Sequence, residues 1–512
     1  MTISWNDVFA MAPQAILVLG GIGVLVSQMI LSAGRTRVAW QLTVLTLVLT
    51  ILVTTLGLSN PEGTKTFLPR AFIGYEKVQA LNGSYSYSSF NANAIVLFAG
   101  LALCAVLFMR KSLEKLNLDF AENYFLILMS IAGYAYAVCA EDLVTLFIGI
   151  ELGSLPTLIL VGLNRESKAS NEAALKYLLL SAFSMAFLLL GIALLYGSSA
   201  TMKLRELKEI GPHFTRTRVV TLGYIFVFSG FFFKLAAFPL HSYVADVYEG
   251  ATTVFTGLIA SLSKVAAVLV LLKINLAVHD GYRQYLAPVL TSVAIGSLLF
   301  GAFASVYAGN IKRILAYSSI SHAGFMLCFF IVPAGTDSAI MGAIKQDGGS
   351  ALFIYAMGYA TAALLAFGTL AYAENTATDR VLTLDNLAGL GQRDKWAALA
   401  LALSLLSFMG MPPLAGFFGK FFVFKYLAVS NNLAVAAAAG ASGAISVYAY
   451  IRIIRPLFFS DTPSEATPPT GVFAGGEGAR VSVVILIAAL GFFAVFASFL
   501  YNNGIPAIQK IY

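Results

Sequence analysis

The sequence predicts an all-α, polytopic membrane protein of about 14 transmembrane helices. Of its 512 residues, 59% are hydrophobic and only 11% are charged. The mean hydropathy is +0.83. Apolar runs of about 20 residues, long enough to cross a bilayer, recur along the whole chain. Soluble domains have about 25% charged residues, so this composition excludes an ordinary soluble protein.

Two of the predicted spans are too long for one straight crossing, and both contain proline. An interior proline removes a backbone N–H and crowds the preceding turn, so we expect helix breaks at Pro239 and at Pro412-Pro413. These two spans lie near residues 219–244 and 396–428. The complete set of predicted spans lies near residues 12–33, 38–59, 92–110, 122–139, 142–163, 173–197, 219–244, 251–274, 286–308, 313–333, 349–373, 396–428, 432–456 and 481–501.

The two broken helices indicate an internal repeat. Each falls within a set of five spans, and an odd number of spans inverts one set relative to the other, as in many transporters. The predicted segments are three N-terminal helices (1–120), a first repeat (121–275), a second, inverted repeat (285–457), and an inner loop with a last helix (458–512).

Basic residues in the short loops predict the orientation. Most lie on one side, which the positive-inside rule makes cytoplasmic, and an even number of spans then places both termini outside. Residues 198–218 carry basic residues on the other side and argue against this. We expect a bacterial cell membrane or another bioenergetic membrane. The basic residues that support this orientation are Arg35, Arg37, Arg110, Lys111, Lys115, Arg165, Lys168, Lys312, Arg313, Arg452 and Arg455.

No redox or metal centre is encoded by the sequence patterns. Cys104, Cys139 and Cys328 lie singly in apolar runs, which is typical of small buried hydrophobic residues. CxxC spacing and a dinucleotide-binding motif are both missing from the sequence. The first apolar run lacks a basic segment before it, so we expect a permanent span and not a signal peptide. We therefore predict no catalytic, cofactor-binding or metal-ligating residue in this chain.

A few ionisable residues lie inside the predicted spans. Each costs about 3 kcal/mol to insert, so each requires a reason. A lysine beside a helix break is typical of an ion site in a transporter. His241 and Asp246 follow the first break and are expected to support it. The candidates for proton transfer are Glu151, Lys176, Lys234, Lys264, His322 and Lys420.

Structural roles are the alternatives for these residues. Lys176, near a helix end, fits a lysine that extends its charge to the membrane surface. Glu151 and Lys234 fit an ion pair that only joins two helices. His322 fits a hydrogen-bonded core residue, and His241 fits a residue that satisfies polar groups at the break.

The functional interpretation rests on the balance of charge inside the membrane. Burial favours a neutral lysine, whereas a nearby carboxylate favours the charged form. A row of such lysines, bridged by water, histidine and hydroxyl groups, would pass protons and titrate as one coupled set. A metal-ion carrier would need clustered carboxylates and carbonyls. Because the intramembrane charges are mostly lysines, which repel cations, the pattern favours protons as the transported species.

Three motifs carry a specific family resemblance between about residues 120 and 460. They are Glu151-Leu-Gly-Ser-Leu-Pro156; Phe-Lys234-Leu-Ala-Ala-Phe-Pro-Leu-His241 with Asp246-Val-Tyr-Glu-Gly250; and Lys312-Arg-Ile-Leu-Ala-Tyr-Ser-Ser-Ile-Ser-His322 with Gly410-Met-Pro-Pro-Leu-Ala-Gly-Phe-Phe-Gly-Lys420. With these motifs the chain resembles the antiporter-like membrane subunits of the respiratory complex I family, which are related to Mrp-type sodium/proton antiporters.

The resemblance is strongest to the N-type branch, called subunit 2 in mitochondria. Lys420 stands where M-type subunits usually have glutamate, and the sequence ends at Tyr512 without the lateral helix that extends L-type subunits. Tyr243, Ala245 and Thr252 depart from the family pattern, in which tryptophan, proline and proline are common.

The resemblance implies proton translocation coupled to quinone reduction. Its proton-channel residues would be Glu151, Lys176, Lys234, Lys264 and Lys420, with His322 in the axis that connects them. NADH or ferredoxin, FMN, iron–sulfur clusters and quinone would belong to partner subunits of a complex I-like assembly. The alternatives are an Mrp-type cation/proton antiporter subunit and a passive structural membrane subunit.

Overall fold

A computed structural model of the chain describes residues 8, 10–31, 35–56, 78–212, 217–331, 338–374, 383–460 and 483–487. Almost all of these residues are helical. The helices are α1 (Ala12–Ile30), α2 (Arg35–Leu56), α3 (Ser89–Lys115), α4 (Ala121–Cys139), α5 (Leu143–Val161), α6 (Lys168–Ser199), α7 (Leu204–Glu209), α8 (Thr217–Leu235), α9 (Val244–Gly250), α10 (Thr253–Ala277), α11 (Asp280–Tyr307), α12 (Ile311–Leu327), α13 (Ser338–Glu374), α14 (Leu390–Arg393), α15 (Lys395–Met409), α16 (Ala415–Val429) and α17 (Leu433–Phe459).

A short antiparallel hairpin precedes α3. Its strands are β1 (Val78–Ala80) and β2 (Tyr85–Tyr87), with Val78 opposite Tyr87 and Ala80 opposite Tyr85. A single turn of 3₁₀ helix joins them. The hairpin contacts the helical bundle through an isolated antiparallel β-bridge between Tyr85 and Ala140, the residue that follows α4.

Ten of the helices in the described part of the chain are long and apolar enough to cross a membrane. Of the other predicted spans, 122–139 corresponds to α4, 313–333 to α12, and 396–428 to the two short helices α15 and α16. The predicted span at 481–501 lies almost wholly outside the described residues. The protein is therefore a polytopic α-helical membrane protein.

The helix packing places α10 and α13 at the centre. The apolar windows at Thr253–Ala277 and Gly348–Ala371 are completely buried, whereas those of α1, α2 and α6 are about one third buried. Peripheral helices expose leucine, valine and phenylalanine side chains, as expected where lipid replaces water around a protein. The central helices thus carry polar groups that neither water nor lipid reaches.

Small residues bring α4 and α5 close together. A Cβ atom added at Gly133 would lie 2.2 Å from the backbone N of Gly153, so only glycine permits this approach. Ser130 Oγ donates a hydrogen bond to the carbonyl oxygen of Gly153, at 2.8 Å. Polar bonds and small residues at such contacts are typical of helix pairs in membranes. The contact fixes the part of α5 that carries Glu151.

Both proline positions lie in interruptions between helices. Helix α8 ends at Leu235 and α9 begins at Val244, with Pro239 between them. Helix α15 ends at Met409 and α16 begins at Ala415, with Pro412 and Pro413 between them. The Phe238-Pro239 and Pro412-Pro413 peptide bonds are cis.

Candidate proton-transfer site

Glu151 and Lys234 form a buried ion pair between α5 and α8. The Lys234 Nζ atom lies 3.1 Å from Glu151 Oε1, and both side chains are less than 10% exposed. Lys234 donates hydrogen bonds to Ser154 Oγ, at 2.8 Å, and to Ser181 Oγ, at 3.4 Å. Ser154 Oγ in turn donates to Glu151 Oε2, at 3.0 Å. Hydroxyl groups therefore supply part of the hydrogen bonding that a buried ion pair requires.

The helix break helps to stabilise this pair. Lys234 lies in the last turn of α8, where a cation interacts favourably with the carbonyl end of the helix dipole. Tyr243 Oη donates a hydrogen bond to the carbonyl oxygen of Phe233, at 2.8 Å, and its ring stacks on Phe233 and Tyr177. Tyr243 thus satisfies a backbone group next to Lys234.

Lys264 is buried at the start of the regular part of α10. It directly follows a π-helical segment, Ile259–Ser263, of a kind that often occurs at functional sites. Its Nζ atom donates to Ser319 Oγ, at 2.7 Å, and to the Ser319 carbonyl oxygen, at 3.1 Å. No carboxylate forms an ion pair with Lys264 in the described part of the chain. Its contacts are with neutral oxygen atoms of α12.

His322 lies one turn beyond Ser319 on α12 and contacts two tyrosines. Its Nδ1 atom is 2.7 Å from Tyr355 Oη, and its Nε2 atom is 3.3 Å from Tyr450 Oη. Tyr450 Oη also lies 2.5 Å from Ser318 Oγ. Ser318 and His322 of α12 are therefore hydrogen-bonded to tyrosines of α13 and α17. A histidine between two hydroxyl groups can accept and donate protons at its two nitrogens.

Lys420 is buried beside the second break. Its Nζ atom donates to the carbonyl oxygen of Met409, at 3.1 Å, where α15 ends, and lies 5.0 Å from the centre of the Phe325 ring. A Cβ atom on Gly410 would lie 3.0 Å from Lys420 Cδ, and Gly410 has a φ of +84°. The positive φ favours glycine there, and a larger residue would also displace the lysine side chain.

Lys176 and Asp246 lie apart from the buried row, in a partly exposed ion cluster. Lys176 Nζ is 2.6 Å from Asp246 Oδ2 and 2.6 Å from Glu172 Oε1. Arg313 binds Asp246, at 2.8 Å, and also contacts Glu249. Burial raises the pKa of Asp246, but Lys176 and Arg313 outweigh it, and the pKa lies below its usual value. The cluster joins α6, α9 and α12 at one end of the bundle.

His241 does not satisfy a backbone group at the break through Nδ1. That atom is buried and has no hydrogen-bond partner among the described residues. The imidazole ring instead packs against Phe300, at 4.1 Å between ring centres, and against Phe238. The histidine therefore fills space between the break and α11.

A second buried ion pair, between Glu141 and Lys273, was not predicted from the sequence. The Lys273 Nζ atom lies 3.1 Å from Glu141 Oε1 and donates to the carbonyl oxygens of Val138 and Ala140. Ser86 Oγ donates to the same Glu141 oxygen, at 2.5 Å. The pair ties the hairpin, the end of α4 and the end of α10 together. In the sequence, the pair is indicated by Lys273, a charged residue in the last turn of the predicted span at 251–274.

Several hydroxyl partners of the charged residues were also missed. Ser154 and Ser319 lie within one turn of predicted residues, so helical spacing could have identified them. Tyr355 and Tyr450 come from helices distant in sequence, and nothing in their local sequence distinguishes them from other buried tyrosines.

Comparisons with known proteins place this arrangement in a family. Residues 140–446 match the family described as NADH:quinone oxidoreductase/Mrp antiporter, transmembrane. NADH-quinone oxidoreductase subunit N 2 of Roseiflexus castenholzii is 34% identical over 414 residues, covering 80% of this chain and 82% of the relative.

Solved structures show the same fold. A chain of respiratory complex I from Thermus thermophilus matches with a TM-score of 0.76 and 25% identity, over 96% of this chain and 98% of that one. A chain of the Mrp complex from Dietzia matches with a TM-score of 0.77 and 19% identity, over 99% and 100%. From the match over 140–446 and the similarity to subunit N, we conclude that this chain belongs to the NADH:quinone oxidoreductase/Mrp antiporter membrane-subunit family, among its N-type subunits.

Proposed function

We propose that this chain is a proton-translocating membrane-arm subunit of a complex I-type quinone oxidoreductase. The observation that carries the proposal is the set of buried basic residues on α8, α10, α12 and α16: Lys234 with its counter-ion Glu151, then Lys264, His322 and Lys420. Each is hydrogen-bonded to protein hydroxyl, carbonyl or carboxylate groups. Ionisable residues that are this costly to bury are most readily explained by proton transfer.

The Glu151–Lys234 pair provides a way to couple one proton transfer to the next. A proton that arrives on Glu151 removes the negative charge that stabilises the Lys234 ammonium group, 3.1 Å away. Loss of that charge favours proton release from Lys234. The coupled set then includes Lys264, which binds Ser319, and His322 one turn further along α12. Lys420 is the last member of the set, beside the second break.

The finer architecture and the partners belong to the same proposal. We infer about 14 spans with both termini outside, in the four segments 1–120, 121–275, 285–457 and 458–512, and two inverted five-helix repeats in the middle segments. The electron donor, FMN, iron–sulfur clusters and quinone are assigned to partner subunits. In this scheme the chain holds no redox centre, and the assembly lies in a bacterial or other bioenergetic membrane.

The test is isolation of the chain in mild detergent, followed by a cofactor survey and a pumping assay. We expect the chain to co-purify with iron–sulfur subunits, and quinone reduction by the reconstituted complex to drive proton transfer. A chain that purifies alone and exchanges a metal cation for protons would instead support an Mrp-type antiporter. Full pumping by a complex carrying both Glu151→Gln and Lys234→Ala would support a passive structural subunit.

A further inference from the structure

A cavity of about 770 Å³ opens between the loop that joins α3 to α4 and the loop that joins α5 to α6. It lies at the helix ends, where the predicted orientation places the inner membrane surface. Its wall combines charged side chains from the two loops and the adjoining ends of α3 and α4 with apolar side chains from α4 and α5. The location and the mixed wall are typical of the level at which lipid headgroups meet protein.

The charged residues of the wall are balanced in sign but are not paired with one another. Lys115 and Arg165 supply two cations, and Glu122 and Glu166 supply two carboxylates. None of the four side chains forms an ion pair or a hydrogen bond with the described residues. Such a wall is complementary to a ligand that carries one charge of each sign, and a purely anionic ligand would meet the two carboxylates unfavourably.

Asn123 also borders the cavity. The residue is completely buried. Its Nδ2 atom donates to the carbonyl oxygen of Leu118, at 2.7 Å, but its Oδ1 atom is buried without a partner among the described residues. Because no part of Asn123 is accessible from the cavity, a ligand would contact the four charged side chains and not this amide.

An apolar stripe leads away from the cavity along α5. Ile148, Leu152, Leu155 and Ile159 recur at helical spacing, and each is between 43% and 52% exposed. Ile159 belongs to both the stripe and the cavity wall. The eleven helical steps from Ile148 to Ile159 extend for about 16 Å, which is long enough to lie along most of an acyl chain. Phe120, 45% exposed, extends the apolar surface on the other side of the cavity.

We propose that this cavity binds a phospholipid with a primary ammonium headgroup, of the phosphatidylethanolamine type. The phosphate group binds Lys115 and Arg165, and the ammonium group binds Glu122 and Glu166. One acyl chain follows the α5 stripe. A choline headgroup has the same charges but no N–H donor, and a glycerol headgroup has no cation, so the site selects ethanolamine over both.

The test uses the complete purified complex, exchanged into vesicles of defined composition. Phosphatidylethanolamine with a photoreactive group in one acyl chain is cross-linked, and the labelled peptides are identified by mass spectrometry. We expect labels on α5 near Ile159 and on the loop at Phe120. The same probe with a choline or glycerol headgroup should label these peptides about tenfold less, the loss expected for one charge-assisted hydrogen bond.

Variants test the headgroup contacts separately. Glu122→Gln with Glu166→Gln, and separately Lys115→Gln with Arg165→Gln, should each reduce ethanolamine labelling about tenfold or more. Glu114→Gln is the matched control, because this exposed carboxylate on α3 pairs with Arg110 and does not line the cavity. Equal labelling by the three headgroups would overturn the proposal. The proposal would also be overturned if these peptides carried no label, as expected if a partner subunit covers them.

Discussion

Replacement of Glu151 and Lys234, singly and together, separates a proton-transfer role from a purely structural one. With Nζ and Oε1 3.1 Å apart and an effective dielectric constant of about 20, the attraction within the pair is about 5 kcal/mol. Removal of one partner from a buried pair costs about 3–5 kcal/mol, because the other charge is left uncompensated. We therefore expect Glu151→Gln and Lys234→Met each to weaken the assembly.

The double variant distinguishes the two roles. Replacement of both charges by neutral groups of similar size is often neutral for stability, so Glu151→Gln with Lys234→Met should regain the thermal stability of the complex. Its proton pumping should stay lost. If a barrier on the transfer path rises by about 3 kcal/mol or more, coupled turnover falls by about two powers of ten.

The assay compares quinone-dependent proton uptake in vesicles with the temperature at which the complex dissociates. Glu114→Gln is the control, because its exposed pair with Arg110 contributes at most about 1 kcal/mol. Lys234→Arg adds a test of proton release, since guanidinium keeps its charge at any accessible pH. The arginine variant should assemble but fail to pump. Recovery of pumping in the Glu151→Gln, Lys234→Met double variant would refute the proton-transfer role and show that the pair only joins α5 to α8.

The other predictions concern the remaining buried groups. Lys420→Met should assemble normally but lose proton pumping, because methionine fills a similar volume and carries no proton; unchanged pumping would remove Lys420 from the path. His322→Gln should keep hydrogen bonds to the neighbouring hydroxyls yet slow pumping about tenfold or more, the effect of losing one proton-transfer group, while a merely structural histidine would tolerate it. Lys273→Met should weaken the assembly by about 3–5 kcal/mol by leaving Glu141 uncompensated, with recovery in the Glu141→Gln, Lys273→Met double variant; hydrogen exchange of the Tyr85–Tyr87 amides would report any loosening of the hairpin.

The roles of lysines and prolines in apolar runs could be predicted from sequence for two reasons. Each costs free energy inside a membrane helix, and each acts on the helix that contains it. Pro239 and Pro412 predicted where the helices are interrupted, and Lys234, Lys264 and Lys420 predicted which helices carry buried charge. Each inference depends on a window of about 20 residues, within which hydropathy and helical spacing are sufficient.

The partners of these charges follow from packing, which a window of sequence does not contain. Ser181, 53 residues from Lys234, supplies one of its hydrogen bonds. Tyr450, 128 residues from His322, lies beside the imidazole. Buried serine and tyrosine are common in membrane helices, so neither type signals a site alone. The same limit explains why Glu141 and Lys273, 132 residues apart, were not recognised as a pair.

The two broken helices hold their lysines by different means, and the difference has a consequence for the direction of transfer. Lys234 is stabilised by a full negative charge on Glu151, which contributes about 5 kcal/mol at their separation. Among the described residues, Lys420 contacts a carbonyl oxygen at the end of α15 and the face of Phe325, and such dipolar contacts contribute about 1 kcal/mol each. Both lysines lie beside the carbonyl end of a half-helix, but only Lys234 depends on the protonation state of a carboxylate. A proton on Glu151 therefore changes the affinity of Lys234 directly, whereas Lys420 responds only to changes in the charge of the intervening groups. In the proposed function, the Glu151–Lys234 end of the set senses a neighbouring charge, and Lys420 at the other end receives the displaced proton.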